Sequence, residues 1–261
     1  MLVDAMADVL CPSGTLVVDV DDTLYEKSGR KVDGAGSFRD AVRSTRNRVV
    51  YAAGLNLVIV TLRVDPPWGG MPIGVPVGVR LHRKGAATTI DLAEQIIREL
   101  AAWLPSRRFA LCGDGAYASL AGRGLPATTV TSRMRRDAAI FEAPPARSGK
   151  RGRPRTNGTR LPTPAEMTTK LKDADFAAAT VEWRGASKEL LVYSIPVLWY
   201  SIEPTNLVAL VIVRDPTGDH ARRLLLHHRS RRQRSLGRLA LRRSLVHRVR
   251  QPRGQTGARR R

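Results

Sequence analysis

The chain has 261 residues, 43% of them hydrophobic and 5% aromatic, and carries a formal charge of +21 at pH 7. Residues 1–219 hold 29 Lys and Arg against 23 Asp and Glu, a net of +6, whereas residues 220–261 hold 15 Arg and no acid, so most of the charge belongs to a tail. This length and apolar share suit one large domain or two small ones with a real core, and the charge points to a polyanionic partner. A membrane span is excluded because no run approaches ~18 apolar residues, and no basic segment with an apolar core opens the chain as a secretory signal would. Cys11 and Cys112 lack zinc-ligand spacing, which predicts reduced thiols in a cytoplasmic protein.

In chain order, residues 1–10 place Asp4 and Asp8 among apolar residues and suit a helix end, and Cys11-Pro12-Ser13-Gly14 is a turn. Residues 15–20 (TLVVDV) form a first strand. Residues 28–47, rich in Gly and Arg, read as a loop. Residues 49–64 (VVYAAGLNLVIVTLRV) make one long strand or a hairpin, broken by Pro66-Pro67-Trp68-Gly69-Gly70. The alternation IGVPVGVRLH over 73–82 predicts a third strand. Leu92, Ile96, Ile97 and Leu100 recur at helical spacing, which predicts an amphipathic helix over 90–104. A fourth strand over 108–112 runs into Gly113-Asp114-Gly115, a short helix opens at 117–121, and a fifth strand covers 127–131. Residues 143–164 are too rich in Pro, Gly and Arg for a core element. Three β-type runs follow at 177–183, 189–199 and 207–213.

The chemistry concentrates in Leu16-Val17-Val18-Asp19-Val20-Asp21-Asp22-Thr23, an apolar strand ending in carboxylates. Oxygen ligands of this kind select a hard cation such as Mg²⁺. Two enzyme classes fit the stretch. One is a phosphohydrolase with an aspartate nucleophile, and the other a two-metal nuclease or transposase that needs three separated carboxylates.

Four stretches carry a resemblance: VDDTLYEKSGRKV at 20–32, LCGDGAYAS at 111–119, VTSRMRRDAAIFEAPPARSGKRGRPRTNGTRLPTPAEM at 130–167 and VLWYS at 197–201. Together they resemble the DDE transposases of bacterial insertion sequences, in the branch whose DDE superfamily endonuclease domain carries a β insertion, over residues 15 to 219. The order of elements agrees with an α/β, RNase H-like mixed sheet with helices, followed by a β-rich insertion and a disordered Arg-rich tail. The expected units are a leader at 1–14, a partial catalytic core at 15–142, a basic Pro/Gly-rich loop at 143–168, the insertion at 169–219 and the tail at 220–261.

The resemblance implies DNA strand cleavage and transfer at transposon ends, with Asp, Asp and Glu holding two Mg²⁺ ions. It implies double-stranded DNA as partner, a homodimer in the intact family, and a bacterial cytoplasmic location. By carry-over the first acid is Asp21 or Asp22. The family's Asp-x-Thr pattern favours Asp21, with Thr23 in place. Asp114 is the second. Lys84, Arg133, Arg135 and Arg136 are candidate phosphate contacts. Lys150-Arg151-Gly152-Arg153-Pro154-Arg155 resembles an AT-hook core, whose Lys150, Arg151, Arg153 and Arg155 would enter a narrow A·T minor groove.

The opening stretch also resembles the first motif of haloacid-dehalogenase-type phosphatases, with Asp19 as nucleophile and Asp21 as general acid and base. Residues 58–61, Lys84 and Gly113-Asp114 would supply the later motifs. That pattern breaks where a second acid is wanted after Asp114, because Ala118 and Ser119 stand there.

The DDE pattern lacks its third acid. The family's glutamate lies in a block resembling Arg-Trp-Ser-Ile-Glu on a helix after the insertion, and nothing after Asp219 is acidic. Glu189 and Glu203 come too early in the order. Permitted codons for residues 221–234, read one base later, give a string beginning HDDFFFTTDLDA, and continuing can give AAWVASRYAGRWSIECV, which contains the missing block. The expectation is a transposase frameshifted near residues 218–221, started internally at its front end, and catalytically incomplete. The alternative for the tail is a genuine arginine-rich nucleic-acid arm, and the alternative for the function is a DNA-binding transposase remnant with regulatory or no activity.

Overall fold

The computed structural model describes residues 7–12, 14–27, 29, 31–45, 47–146, 155–183, 186–217 and 223–228. Its strands are β1 (Thr15–Glu26), β2 (Gly36–Arg39), β3 (Tyr51–Val64), β4 (Ile73–His82), β5 (Arg108–Gly113), β6 (Thr128–Arg133), β7 (Ala177–Trp183), β8 (Ala186–Val197), β9 (Val208–Arg214) and β10 (Arg223–His228). Besides helical residues at 7–10, the described residues form helices α1 (Thr89–Trp103) and α2 (Pro164–Lys170), with 3₁₀ segments at Gly115–Gly122 and Asp173–Asp175.

β1 is the axis of the sheet. Strand alternation sends Leu16, Val18 and Val20 to one face, where they join the main core, and Val17 to the other, beside Ala110 and Cys112. β3 lies antiparallel along one edge of β1, from Val18 opposite Leu62 to Glu26 opposite Gly54. β5 lies parallel along the other edge, from Thr15 opposite Arg108 to Val20 opposite Gly113. β4 adds to β3 and β6 adds in parallel to β5. The resulting order β4-β3-β1-β5-β6 in a mixed α/β sheet is compatible with the RNase H-like order expected.

α1 forms where the spacing predicts. Thr88 caps it and Asp91 completes a capping box, while Leu92, Ala93, Ile96, Ile97 and Leu100 are buried against the sheet. Leu104-Pro105 ends it, because the residue before proline is driven out of the helical region. Gly78 of β4 is needed under this helix, since a Cβ there would sit 2.2 Å from Ile96 Cγ2.

Four elements of this part of the chain depart from expectation. β1 continues six residues past Val20, because β3 supplies a full ladder as far as Glu26. Within the expected loop at 28–47, β2 pairs with Tyr51–Gly54 of β3, anchored by buried Phe38, whose ring stands 5.5 Å from that of His82. The run expected as a short helix after Asp114 is a 3₁₀ segment, and α2 begins at Pro164, where a loop was expected to end.

The β-type runs of the expected insertion extend the same sheet, in the order β6-β10-β9-β8-β7. The strand that joins them to the core is β10, which lies inside the stretch expected to be a disordered tail. It pairs antiparallel with β6 on one side and β9 on the other. Leu225 is buried among Val181, Leu190, Val211 and Val213, and His227 bonds Thr131 at 2.9 Å. The tail expectation fails for these six residues because a strand slotted between two others satisfies main-chain groups on both edges while burying apolar side chains. The rest of the tail, residues 220–222 and 229–261, lies outside the described residues. Among the described residues, no helix is long and apolar enough to cross a membrane.

Candidate active site

The three sequence-predicted acids sit where β1 and β5 end their pairing. The last matched pair is Val20 with Gly113 on these parallel strands. The next position on each chain is Asp21 and Asp114. On the far side of β5, Gly113 is matched with Ser132 of β6, so the next residue there is Arg133. Asp21, Asp114 and Arg133 are therefore each one residue past the last matched positions of three neighbouring parallel strands, a set called the row below.

Asp22 points the other way. Alternation places it on the face of Val18 and Val20, where its Oδ1 accepts a hydrogen bond from the Tyr117 hydroxyl at 3.2 Å. Tyr117 is buried, and burial, reinforced by the neighbouring Asp22 carboxylate, pushes its hydroxyl well above the ordinary tyrosine range. It stays a donor to Asp22 at any physiological pH. Asp21 is exposed, and its Oδ1 accepts from the Asp22 main-chain N–H at 2.9 Å.

The stretch Gly113-Asp114-Gly115-Ala116-Tyr117 explains its own composition. Asp114 caps the 3₁₀ segment, its Oδ1 accepting from Ala116 N–H at 2.8 Å. Its carbonyl accepts from the Ser132 hydroxyl at 2.5 Å, which ties the acid to β6. A Cβ on Gly113 would lie 2.8 Å from Tyr117 Cβ and 2.9 Å from Val20 Cγ1, so only glycine lets Tyr117 cross β5 to reach Asp22. One turn thus positions Asp114 and clamps Asp22. Sequence reasoning passed over Tyr117, although its spacing from Asp114 was visible.

The other predicted residues divide. Arg133 is exposed at the end of β6, its carbonyl 3.5 Å from where a Gly115 Cβ would stand. Arg135 is bound to Asp137 by two hydrogen bonds of 3.0 and 2.7 Å. Arg136 is exposed, and its carbonyl accepts from Ala165 N–H. Lys84 lies 5.6 Å over the Phe38 ring, next to β2 and away from the row. Arg155 is exposed, while Lys150, Arg151 and Arg153 lie outside the described residues.

Neither early glutamate joins the row. Glu189 is on β8, opposite Thr180, and four strands separate β8 from β1, or about 24 Å at ordinary strand spacing. Glu203 lines a cavity of about 600 Å³ with Arg107, Pro126 and Thr128, at the opposite ends of β5 and β6 from Asp114. There it accepts hydrogen bonds from Thr205 and Asn206 and faces His228 Nε2 at 3.5 Å. Although burial opposes ionisation, the Thr205 hydrogen bonds and the His228 charge bring its carboxyl below the ordinary range.

Asp19, on the same face as Asp21, is held by the Arg63 guanidinium, Nε donating to Oδ2 at 2.9 Å and a second nitrogen to Oδ1. A phosphatase nucleophile would have to leave that pair.

Among the described residues, no group of three His, Cys, Asp or Glu side chains lies close enough to hold a metal ion. Asp21 and Asp114 nevertheless form an oxygen-only donor pair, which suits a hard divalent cation. No protein of curated function matches the sequence. The sequence profile of the DDE superfamily endonucleases matches residues 1–190, well over half of the chain. These enzymes act on DNA and generally depend on divalent metal ions, and the aspartates that follow the last β1–β5 pair belong to a chain that is a member of the DDE superfamily endonucleases.

Proposed function

We propose that this is the nuclease domain of an insertion-sequence transposase with an RNase H-like core, in which Asp21 and Asp114 are the first two metal ligands and Arg133 contacts a DNA phosphate. The observation that supports the reading is the row Asp21-Asp114-Arg133, two carboxylates and one cation each one residue past the last matched pairs of β1, β5 and β6. Mg²⁺ bound there would supply Lewis-acid stabilisation to a phosphodiester. The chain's own residues fix the donors. Asp114 is fixed by Ala116 and Ser132, while Tyr117 keeps Asp22 on the other face. Asp21 rather than Asp22 is therefore the first acid.

The third acid is the missing part, and the reading includes little or no catalysis. Loss of one member of a catalytic unit removes about 10⁴-fold or more in rate. A frameshift near residues 218–221 accounts for the loss. It also accounts for β10, because the shifted string FFFTT has the apolar-then-polar order of Leu224-Leu225-Leu226-His227-His228 and would fill the same strand. The transposon ends recognised and dimerisation belong to the same proposal.

Titration with Mn²⁺ followed by calorimetry tests the ligand assignment. Asp21→Asn and Asp114→Asn each abolish binding, whereas Asp22→Asn retains it. Binding that survives Asp21→Asn but not Asp22→Asn overturns the assignment. Supercoiled-plasmid nicking with Mg²⁺ tests the activity, and clear nicking abolished by Asp114→Ala overturns the inactive reading.

A further inference from the structure

β1 and β3 extend beyond the row as an arm. Past Val20, β1 leaves β5 and runs on to Glu26, paired only with β3 among the described residues, while β2 flanks β3 at Tyr51–Gly54. Alternation on these strands puts Asp21, Thr23 and Tyr25 of β1 on one face. Tyr51 and Leu55 of β3 share it, since Tyr25 is opposite Leu55, and Arg39 of β2 joins them opposite Tyr51. Tyr25 and Tyr51 are 54% and 64% exposed, an unusual state for two tyrosines on one sheet face.

The charge around them is one-sided. Apart from Asp21 and Asp22 at its base, the acids of the arm are committed: Glu26 and Asp40 to Arg43, and Asp33 to Arg83. Lys27, Lys31, Arg39 and Arg48 form no ion pair among the described residues, and Lys27 Nζ stands 5.2 Å from the centre of the Tyr25 ring. Exposed aromatic rings set among uncompensated cations are how proteins hold unpaired nucleic acid, bases stacking on rings while the cations follow the phosphates. A duplex grip would need the cations alone.

We infer that this face is a stacking platform for an unpaired DNA segment flanking the scissile phosphate, with Tyr25 and Tyr51 under the bases and Arg39 on the backbone. The inference rests on the endonuclease reading of the Asp21–Asp114 row. Tyr25 lies four strand residues from Asp21, about 13 Å, and Tyr51 four further along β3, about 26 Å, which corresponds to roughly four and eight nucleotides at 3.4 Å each. The occupant is therefore a short single-stranded flank continuous with duplex on the other side of the site.

Fluorescence anisotropy on a 20-base-pair duplex, with and without an unpaired flank of about eight nucleotides, tests this. The unaltered chain binds the flanked duplex more tightly. Tyr25→Ala and Tyr51→Ala each weaken that complex about tenfold, within the span of one base–aromatic stack, and leave the blunt duplex within about twofold. Tyr25→Phe and Tyr51→Phe retain the preference because the ring remains. Arg39→Ala weakens both complexes. Thermal melting of each variant, at exposed positions, checks that the fold is intact. Tyrosine variants that weaken both substrates equally, or neither, overturn the platform while leaving the endonuclease reading in place. Failure of the unaltered chain to bind either substrate overturns that reading, and the platform with it.

Discussion

The two glycines that flank Asp114 make opposite predictions. A Cβ on Gly113 would stand 2.8 Å from Tyr117 Cβ and 2.9 Å from Val20 Cγ1, against the 3.5–4.0 Å of a relaxed carbon contact. Each neighbour would have to retreat by roughly 0.7 Å. Neither moves cheaply. Tyr117 Cβ travels only with its main chain, and Val20 is held by ladders to β3 and β5. Gly113→Ala should therefore fall toward the upper part of the ~1–3 kcal/mol span for overpacking, lowering the melting temperature by about 4–10 °C in a chain of this size. Gly115 has no such neighbours, its Cβ meeting the Arg133 carbonyl oxygen at an ordinary 3.5 Å with no positive φ. Gly115→Ala should leave stability unchanged or raise it by about 0.4–1 kcal/mol through the unfolded state. Scanning calorimetry of both variants decides. If Gly113→Ala melts within 1 °C of the unaltered chain, or the two variants shift alike, the packing argument for this turn is wrong.

Three further outcomes follow from the ion pairs. The Glu203 carboxyl is depressed below its ordinary 4.5 in the fold. Its stabilising contribution is thus complete above that value and is lost as pH falls through the lower folded value. Urea midpoints between pH 6 and 3 should drop less steeply for Glu203→Gln, and an unchanged slope counts against the pair. Asp19 and Arg63 are both largely buried, so Asp19→Asn and Arg63→Met should each destabilise by about 3–5 kcal/mol, and the double variant by less than the sum. Additive losses in that cycle would mean the two groups do not depend on each other. Arg133→Ala should lower the salt slope of DNA binding by about 0.9, one phosphate contact. Arg135→Ala, whose guanidinium is bound to Asp137, should leave the slope unaltered. Equal slopes for Arg133→Ala and the unaltered chain remove Arg133 from the DNA surface.

What could be read directly from residues was local. α1 announces itself through Thr88, Asp91 and its apolar spacing, and the Thr163-Pro164-Ala165-Glu166 start of α2 was equally legible, though masked by the surrounding Pro- and Gly-rich composition. β1 looked finished at Val20 because Asp21, Asp22 and Thr23 resemble a turn. The β3 ladder carries them on, tertiary pairing overriding weak strand propensity. β2 had one apolar signal, Phe38, and its partner His82 lies far along the chain. The choice between Asp21 and Asp22 turns on which face of β1 meets Asp114, and that is a property of register, not of composition. Register likewise singles out Arg133 from its neighbours Arg135 and Arg136.

The row also defines what would complete it. A third carboxylate has to approach Asp21 and Asp114 on their own face, because the other is filled by Val18, Val20, Tyr117 and α1. Glu189 is four strands too far out, and Glu203 is at the wrong end of β5 and turned into a cavity. Under the proposed function the third acid lies beyond β10, and residues 229–261 contain none. On the proposed frameshift, shifting the frame at residues 218–221 supplies a glutamate there, and that chain should nick supercoiled DNA about 10⁴-fold or more faster than this one. Asp114→Ala in the restored chain should return it to the starting level. Codons across residues 221–250 incompatible with the shifted reading, or a restored chain no faster than this one, would show that the missing acid was never encoded here, and that the Arg-rich stretch has its own purpose on DNA.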